Sequence, residues 1–393
     1  MAAKAPKCAA PLSCPFLIFF NHLSICRDLL PFPLLYANAI LPAVKAGQIK
    51  SSLRREGGGG GCRACVVTAA GWLRRSWGRC WAGGGWPVPS VGGCDPGASE
   101  PARLRGNVCY VVLAVLFNEK GEVLVVQEAK AECYGTWYLP AGRMEPRETV
   151  LEAVRREVQE ETGLQCRPLT LLAVEERGPS WIRFVFLARP TGGTLKSVQQ
   201  ADAESLQAQW WDRETPALPL RSPDILPLMD LALQYRAGPR HPPILPVELP
   251  CASVCQRFLL VFTGGNRSLW VLLDTTGGPH LPLAISSPSS SKPGKRLVAA
   301  LQQLLQRCVA RPEVAVRLQG LLGLQHLGKD PGQSDGICFN VVATVGSDGS
   351  QQQELAPPTL QEPAFSWWEV EDAALKSEVL RRLHTASFLP IYS

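Results

Sequence analysis

Residues 142–164 read GRMEPRETVLEAVRREVQEETGL, and the spacing of charges along them decides how the rest of the chain is read. Leu151, Val154 and Val158 recur at helical spacing, which predicts an amphipathic helix from about Thr149 to Thr162. Gly163 follows where a left-handed residue commonly ends a helix. At about 100° per residue, Glu157, Glu160 and Glu161 fall within one arc of about 100° beside the apolar stripe. Like charges three and four positions apart repel, and weaken an isolated helix by several tenths of a kcal/mol. A bare acidic pair would read as a solvated face. Three carboxylates on one face instead suit a divalent cation. Mg²⁺ takes carboxylates from a protein and the remaining oxygens from substrate phosphates.

Around this helix the chain alternates strands and turns. Val108 to Phe117 is a run of β-formers, Asn118 to Gly121 a turn signal and Glu122 to Gln127 a second strand, together a predicted hairpin. Tyr138-Leu139-Pro140-Ala141-Gly142 leads into the helix, and strands are expected at Leu171 to Glu176 and Trp181 to Ala188. An acidic loop with Asp202 and Glu204 precedes Gln209-Trp210-Trp211. The simplest fold for this order is α+β, a mixed sheet sandwiched by helices.

Residues 238–250 are proline-rich and read as a linker between a domain at 101–237 and another at 251–393. The second region repeats the order of the first. Strands at Phe258 to Phe262 and Leu269 to Leu273 flank a Gly-Gly-Asn turn, and His280 to Ala284 echoes Tyr138 to Gly142. A helix at Arg296 to Cys308 and the pair Trp367-Trp368 stand where the acidic helix and Trp210-Trp211 stood. The expectation is a degenerate duplication. The helix at Arg296 to Cys308 has no Asp or Glu, so it cannot hold a cation in the same way and reads as a packing partner, a dimerisation surface or a lid.

The first 94 residues carry net charge +9 and the remainder −3, so the net +6 of the chain is a property of its leader. A nucleic-acid polymer is therefore not an expected partner. Half of the fourteen cysteines lie in the same leader and the others lack framework spacing, which points to a reducing, cytoplasmic setting. Residues 1–100 have neither helical nor strand period, contain five consecutive glycines from Gly57 to Gly61, and read as a disordered extension. Cys62 and Cys65 have no second pair to complete a zinc site and read as incidental. No apolar stretch is long enough to span a membrane.

Gly142, Glu148, Arg156, Glu157, Val158, Glu160, Glu161, Gly163 and Leu164 satisfy G-x5-E-x7-R-E-(apolar)-x-E-E-x-G-(apolar) without a miss. The stretch thus resembles the box of the Nudix hydrolases. The resemblance implies that Glu157, Glu160 and Glu161 bind Mg²⁺, with Mn²⁺ as a substitute. It also implies that the carbonyl of Ala141, beside Gly142, adds a ligand and that Arg156 orients the glutamates. Glu148 lies across the helical wheel from the three glutamates and, with Gly163, is expected to brace the loop. The implied reaction is attack of water on a phosphorus of a nucleoside diphosphate-type substrate, with Glu160 and Glu204 as the candidate bases.

Asn107 to Val115, Trp137 to Pro146, Val174 to Trp181 and Gly320 to Gly328 further resemble the vertebrate branch of that family that hydrolyses 8-oxo-guanine nucleoside diphosphates. Oxidised guanine diphosphates, ribo or deoxy, and oxidised adenine diphosphates are then the implied substrates. An oxidised purine needs an apolar or aromatic slot, for which Leu124, Trp137, Tyr138 and Trp181 are candidates. A sugar nucleotide or dinucleotide substrate, or a binding module that has lost turnover, are the alternatives. A homodimer is left open.

Overall fold

The computed structural model describes residues 101–393 except 178–180, 215–216, 266–267, 287–295, 311–314, 347–355 and 393. The readings made for residues 1–100 lie outside the described residues.

Strands β1 (Cys109–Leu116), β2 (Val123–Glu128), β3 (Trp137–Tyr138) and β4 (Ala141–Arg143) precede helix α1 (Val150–Thr162). Strands β5 (Leu164–Glu176), β6 (Trp181–Gly193) and β7 (Ser205–Trp211) and helix α2 (Ile225–Ala237) follow it. The main sheet runs β14-β5-β6-β1-β4, with β14 (Ile391–Tyr392) contributed by the far end of the chain. Within it β1 lies parallel to β6 and antiparallel to β4, so the fold is mixed α+β.

The predicted hairpin is corrected. Only Phe117 bridges Val123, after which β2 leaves for a separate sheet ordered β3-β2-β7. The β4 segment takes one edge of β1 from Tyr110 to Ala114 and β6 takes the other, so only the last residues of β1 stay open to β2. Strand β5 starts at Leu164, earlier than expected. Its first residues alternate buried and exposed, and three bulges let it pass Pro168 while staying paired with β6.

Helix α1 forms where the periodicity places it because both ends are capped. The Thr149 hydroxyl accepts from the Glu152 amide at 3.2 Å, and the Glu152 carboxylate accepts from the Thr149 amide at 2.7 Å. At the other end Gly163 has φ 76° and donates to the Gln159 carbonyl at 2.9 Å. A Cβ on Gly163 would stand 2.2 Å from the Thr194 carbonyl oxygen, so that position needs glycine for space as well as for φ.

The buried face of α1 (Val150, Ala153, Val154 and Val158) packs with Tyr110, Phe184 and Phe186. The opposite face of the sheet, through Leu113, Val115, Val185 and Leu187, packs on Ile225, Leu228, Met229 and Ala232 of α2.

The second half contains β8 (Val254–Thr263), β9 (Leu269–Asp274), β10 (Leu283–Ile285), α3 (Arg296–Cys308), β11 (Val316–Gln325), β12 (Ile337–Val345), β13 (Phe365–Glu369) and α4 (Ala373–Thr385). Here β8 lies parallel to β12 and antiparallel to β10, while β11 joins β12 across bulges and β9 joins β13. Phe258, Leu324 and Phe339 belong to the same apolar cluster as Tyr110 and Phe184, so one continuous core serves both halves.

The segment read as a linker is paired rather than free. The Leu171 amide donates to the Ile244 carbonyl at 2.8 Å, and the Val247 amide to the Leu324 carbonyl at 2.9 Å. The chain end makes a matching crossing. Leu389 exchanges two hydrogen bonds with Leu321 of β11, and two residues later Ile391 lies beside Val174 of β5. Among the described residues no helix is long and apolar enough to cross a membrane.

Candidate active site

Glu157 and Glu161 sit one turn apart on α1, and both face β4. The Ala141 amide donates to Glu161 Oε2 at 2.9 Å. A Cβ on Gly142 would lie 2.1 Å from the Glu157 carboxylate, so that carboxylate occupies space that only glycine leaves open. Both side chains are buried, at 8% and 5% exposure, whereas the Glu160 side chain is half exposed.

Arg156 ties this group to the preceding loop. Its Nε and Nη2 donate to the two oxygens of Glu148 at 2.9 and 2.7 Å. Its Nη1 donates to Glu157 at 2.8 Å and Glu160 at 3.0 Å, and its Nη2 also reaches the Arg143 carbonyl at 3.2 Å. A planar fork is needed to serve four acceptors in different directions, which a lysine ammonium would not do. Glu148, on the far side of the wheel, also accepts from the Glu145 amide at 2.6 Å.

Burial lifts the Glu157 carboxyl above its ordinary range, opposed by Arg156 and reinforced by Glu160 and Glu204. For Glu161 burial is again the largest cause and the rise is greater. The Ala141 amide and Lys130 oppose it, while Glu157 and Glu128 add to it.

Glu128, at the end of β2, and Glu204, just before β7, therefore act on the same site. Glu204 pairs with Lys130 at 3.3 Å. Glu128 is buried and accepts from Arg221 at 2.8 Å.

The last turn of α1 is held from below. Lys196 Nζ donates to the Glu160 carbonyl at 3.0 Å and to Ser205 Oγ at 2.8 Å, and pairs with Asp202 at 2.7 Å. Ser205 Oγ in turn donates to the Glu161 carbonyl at 2.8 Å. A cation at a helix C-terminus meets the unpaired carbonyls and the negative end of the dipole. Glu128, Lys130, Lys196 and Ser205 were not singled out in the sequence. Each is a single polar residue in or beside a strand, without a spacing signal, and the pairing of β2 with β7 together with the backbone bonds of Lys196 to Thr162 and Ala208 brings them to the helix.

The four candidates for base recognition are not gathered on one surface. Leu124 is fully enclosed in the core that contains α1, while Trp137 and Tyr138 belong to the core on the α2 side. The Tyr138 hydroxyl accepts from Arg183 at 2.7 Å and meets Asp224 at 3.1 Å, and burial pushes its pKa up to about 12. Trp181 is half-buried and lies opposite Cys109 in the sheet.

Among the described residues no three His, Cys, Asp or Glu side chains close on one point as a complete ion cage. The donor set nonetheless fits a hard divalent cation. Glu157 and Glu161 are acids whose burial raises their proton affinity, with neighbouring carboxylates adding to it, and Mg²⁺ is commonly held by one or two carboxylates with water and phosphate oxygens completing the shell.

A model of the NUDIX domain matches residues 109–231. The chain is 54% identical over 310 residues to the 8-oxo-dGDP phosphatase NUDT18 of Homo sapiens, a similarity covering 77% of this chain and 94% of that protein. It is 52% identical to the protein of that name in Mus musculus, covering 74% and 89%, and 46% identical to that of Danio rerio, covering 75% and 90%. Relatives matched along nearly their whole length, and a glycine strand that accommodates the acidic helix at the offsets the motif demands, place this chain in the Nudix family.

Proposed function

We propose that this chain is a Mg²⁺-dependent hydrolase of oxidised purine nucleoside diphosphates. It would convert 8-oxo-dGDP, 8-oxo-GDP and 8-oxo-dADP to monophosphate and phosphate, and so cleanse the nucleotide pool. The reading rests on one observation above others, the burial of the Glu157 and Glu161 carboxylates against Ala141 and Gly142. The choice of substrate rests on the relatives named 8-oxo-dGDP phosphatase.

Glu157 and Glu161 would hold the ion, with Glu160 at the rim and the Ala141 carbonyl beside them. A bound divalent cation neutralises phosphate oxygens and lowers the pKa of water. Arg156 keeps Glu157 and Glu160 oriented, and Glu148 with Gly163 fixes the two ends of the segment that carries them. Glu204, on the exposed side and electrostatically coupled to Glu157, takes the proton from the attacking water. Of the candidates for the purine, Trp181 alone is partly exposed, and it is the one read as meeting the base; Leu124, Trp137 and Tyr138 are buried in two separate cores.

The second half is read as a degenerate copy of the first. Its strand pairings follow those of the first half in order, with β8, β10, β11 and β12 in the places of β1, β4, β5 and β6. Its helix α3 lacks acidic residues and offers no ion site.

The test is hydrolysis by the purified full chain, with Mg²⁺, of a panel of oxidised and normal nucleoside di- and triphosphates and ADP-ribose. Preference for oxidised diphosphates supports the reading, equal turnover of normal diphosphates removes the oxidised-base specificity, and turnover of ADP-ribose alone replaces the substrate class. Absence of any turnover, with Mg²⁺ still bound, leaves a binding module.

A further inference from the structure

The loop between β11 and β12 does not stay within the second half. It reaches the segment that connects Gly142 to α1. Gly328 has φ +69°, and a Cβ there would stand 2.3 Å from the carbonyl oxygen of Glu148 and 2.7 Å from His326 Nε2. Its neighbour Lys329 forms an ion pair with Glu152, on the same Oε2 that caps α1 by accepting from the Thr149 amide.

A third contact runs through Tyr110. The His326 ring meets the Tyr110 ring edge-on at 5.5 Å, and the Tyr110 carbonyl accepts from the Met144 amide at 2.9 Å.

The receiving segment is under strain. Arg147, immediately before Glu148, has φ 74°, a left-handed conformation that a non-glycine side chain adopts only when its surroundings impose it. The loop that presses on it is itself pinned. Gly328 donates to the Ser334 carbonyl at 3.0 Å, Ser334 to the Asp330 carbonyl at 2.9 Å, and Asp335 Oδ2 accepts from Gly332 at 2.8 Å and from Leu104 at 3.1 Å. A rigid loop thus abuts a strained one at Glu148. From Glu148 the line to the site is short, because its carboxylate carries Arg156 and Arg156 carries Glu157.

We propose that Gly328 and Lys329 are positioning residues for the hydrolysis, through which the second half holds Glu148 and the start of α1 in the geometry that aims Arg156 and Glu157. The inference rests on the hydrolase reading above, and it gives the non-acidic half a part in catalysis without a site of its own. Side chains of the Lys329–Glu152 pair are nearly half exposed, at 41% and 47%, and exposed pairs of this kind add little to fold stability. Loss of Lys329 should therefore register in the site and not in the melting temperature.

The experiment compares full-length wild type with Gly328→Ala, Lys329→Ala and Lys329→Arg. It measures kcat, nucleotide KM, the Mg²⁺ concentration giving half-maximal rate, thermal midpoint, and Mn²⁺ binding by electron paramagnetic resonance. Gly328→Ala should lower kcat by about 10- to 100-fold, the range for residues that orient metal ligands, and should weaken Mn²⁺ binding with nucleotide KM nearly unchanged. Lys329→Ala should shift the same quantities less, at an unchanged thermal midpoint, and Lys329→Arg should restore them.

If Gly328→Ala fails to fold, Lys329→Ala still decides. Wild-type kcat and Mn²⁺ affinity in a folded Lys329→Ala, or losses that merely follow the thermal midpoint, would overturn the proposal. A wild type that ignores oxidised nucleotides overturns the substrate reading alone, since Mn²⁺ binding by the variants is measured without nucleotide.

Discussion

The carboxylate of Glu157 lies where a side chain on residue 142 would begin, 2.1 Å from that Cβ position. The two residues belong to different elements, so the contact fixes the separation between α1 and β4. Gly142→Ala should push the helix or the carboxylate aside. A displacement of about 1 Å at a reacting centre can lower the rate by roughly 100-fold, and a loss of that order in kcat is expected. Gly142 is not among the residues read as base contacts, so the ratio of oxidised to normal diphosphate turnover should stay as it is. Steady-state kinetics on both substrates checks this, and wild-type kcat in the variant would refute it.

Arg156 meets Glu148 with two nitrogens and Glu157 and Glu160 with a third. Arg156→Lys keeps the charge and removes the fork. Hydrolysis should fall by about 10- to 100-fold through a lower kcat and a higher Mg²⁺ requirement, the usual penalty for misorienting a ligand. Rates measured across a Mg²⁺ titration decide the matter; a variant that recovers full activity at saturating Mg²⁺ would limit Arg156 to ion affinity.

Much of α1 was legible because its information is local. Thr149, Glu152 and Gly163 cap the helix within a turn of its ends, and the Glu157, Glu160 and Glu161 arc follows from helical geometry alone. What lay beyond reach were long-range pairings. The departure of β2 from β1 goes with β4 taking most of one edge of β1 and β6 the other. Lys196 and Ser205 hold the carbonyls of Glu160 and Glu161 from more than thirty residues away, and the proline-rich composition of residues 238–250 gives no sign of the backbone pairings made by Ile244 and Val247. The surroundings of the aromatic candidates are likewise set by long-range pairing. Trp137 and Tyr138 look like a base platform in sequence, yet β3 turns both into the core under α2.

Burial raises the Glu161 carboxyl well above its ordinary value of 4.5, and that of Glu157 in the same direction. Between the ordinary and the raised value, the folded protein keeps protons that the unfolded chain has released. Stability of the metal-free protein therefore declines as pH rises through that window, and the deficit is complete above the folded-state pKa. Glu161→Gln holds the neutral form at every pH and can still accept from the Ala141 amide. It should abolish hydrolysis while raising the metal-free thermal midpoint at pH 7.5, with the gain shrinking toward pH 4.5. Added Mg²⁺ should stabilise the wild type at pH 7.5 and leave the variant unmoved. Thermal scans at several pH values test both halves, and a variant less stable than wild type throughout would contradict the buried-acid account.

Glu160 and Glu204 compete for the part of general base, and their surroundings separate them. Glu160 is held by Arg156 at 3.0 Å, on the face of α1 that orients the ion ligands, so its exchange for Gln should disturb Mg²⁺ use first. Glu204 stands just before β7, half exposed and paired with Lys130 at 3.3 Å, and its charge is felt at Glu157. Glu204→Gln should lower kcat by about 10²- to 10⁴-fold at saturating Mg²⁺, with the Mg²⁺ requirement unchanged. Glu160→Gln should raise the Mg²⁺ requirement and keep most of kcat once Mg²⁺ saturates. Rates of the two variants across a Mg²⁺ titration distinguish the roles, and a loss of kcat at saturating Mg²⁺ confined to Glu160→Gln would transfer the base to the helix.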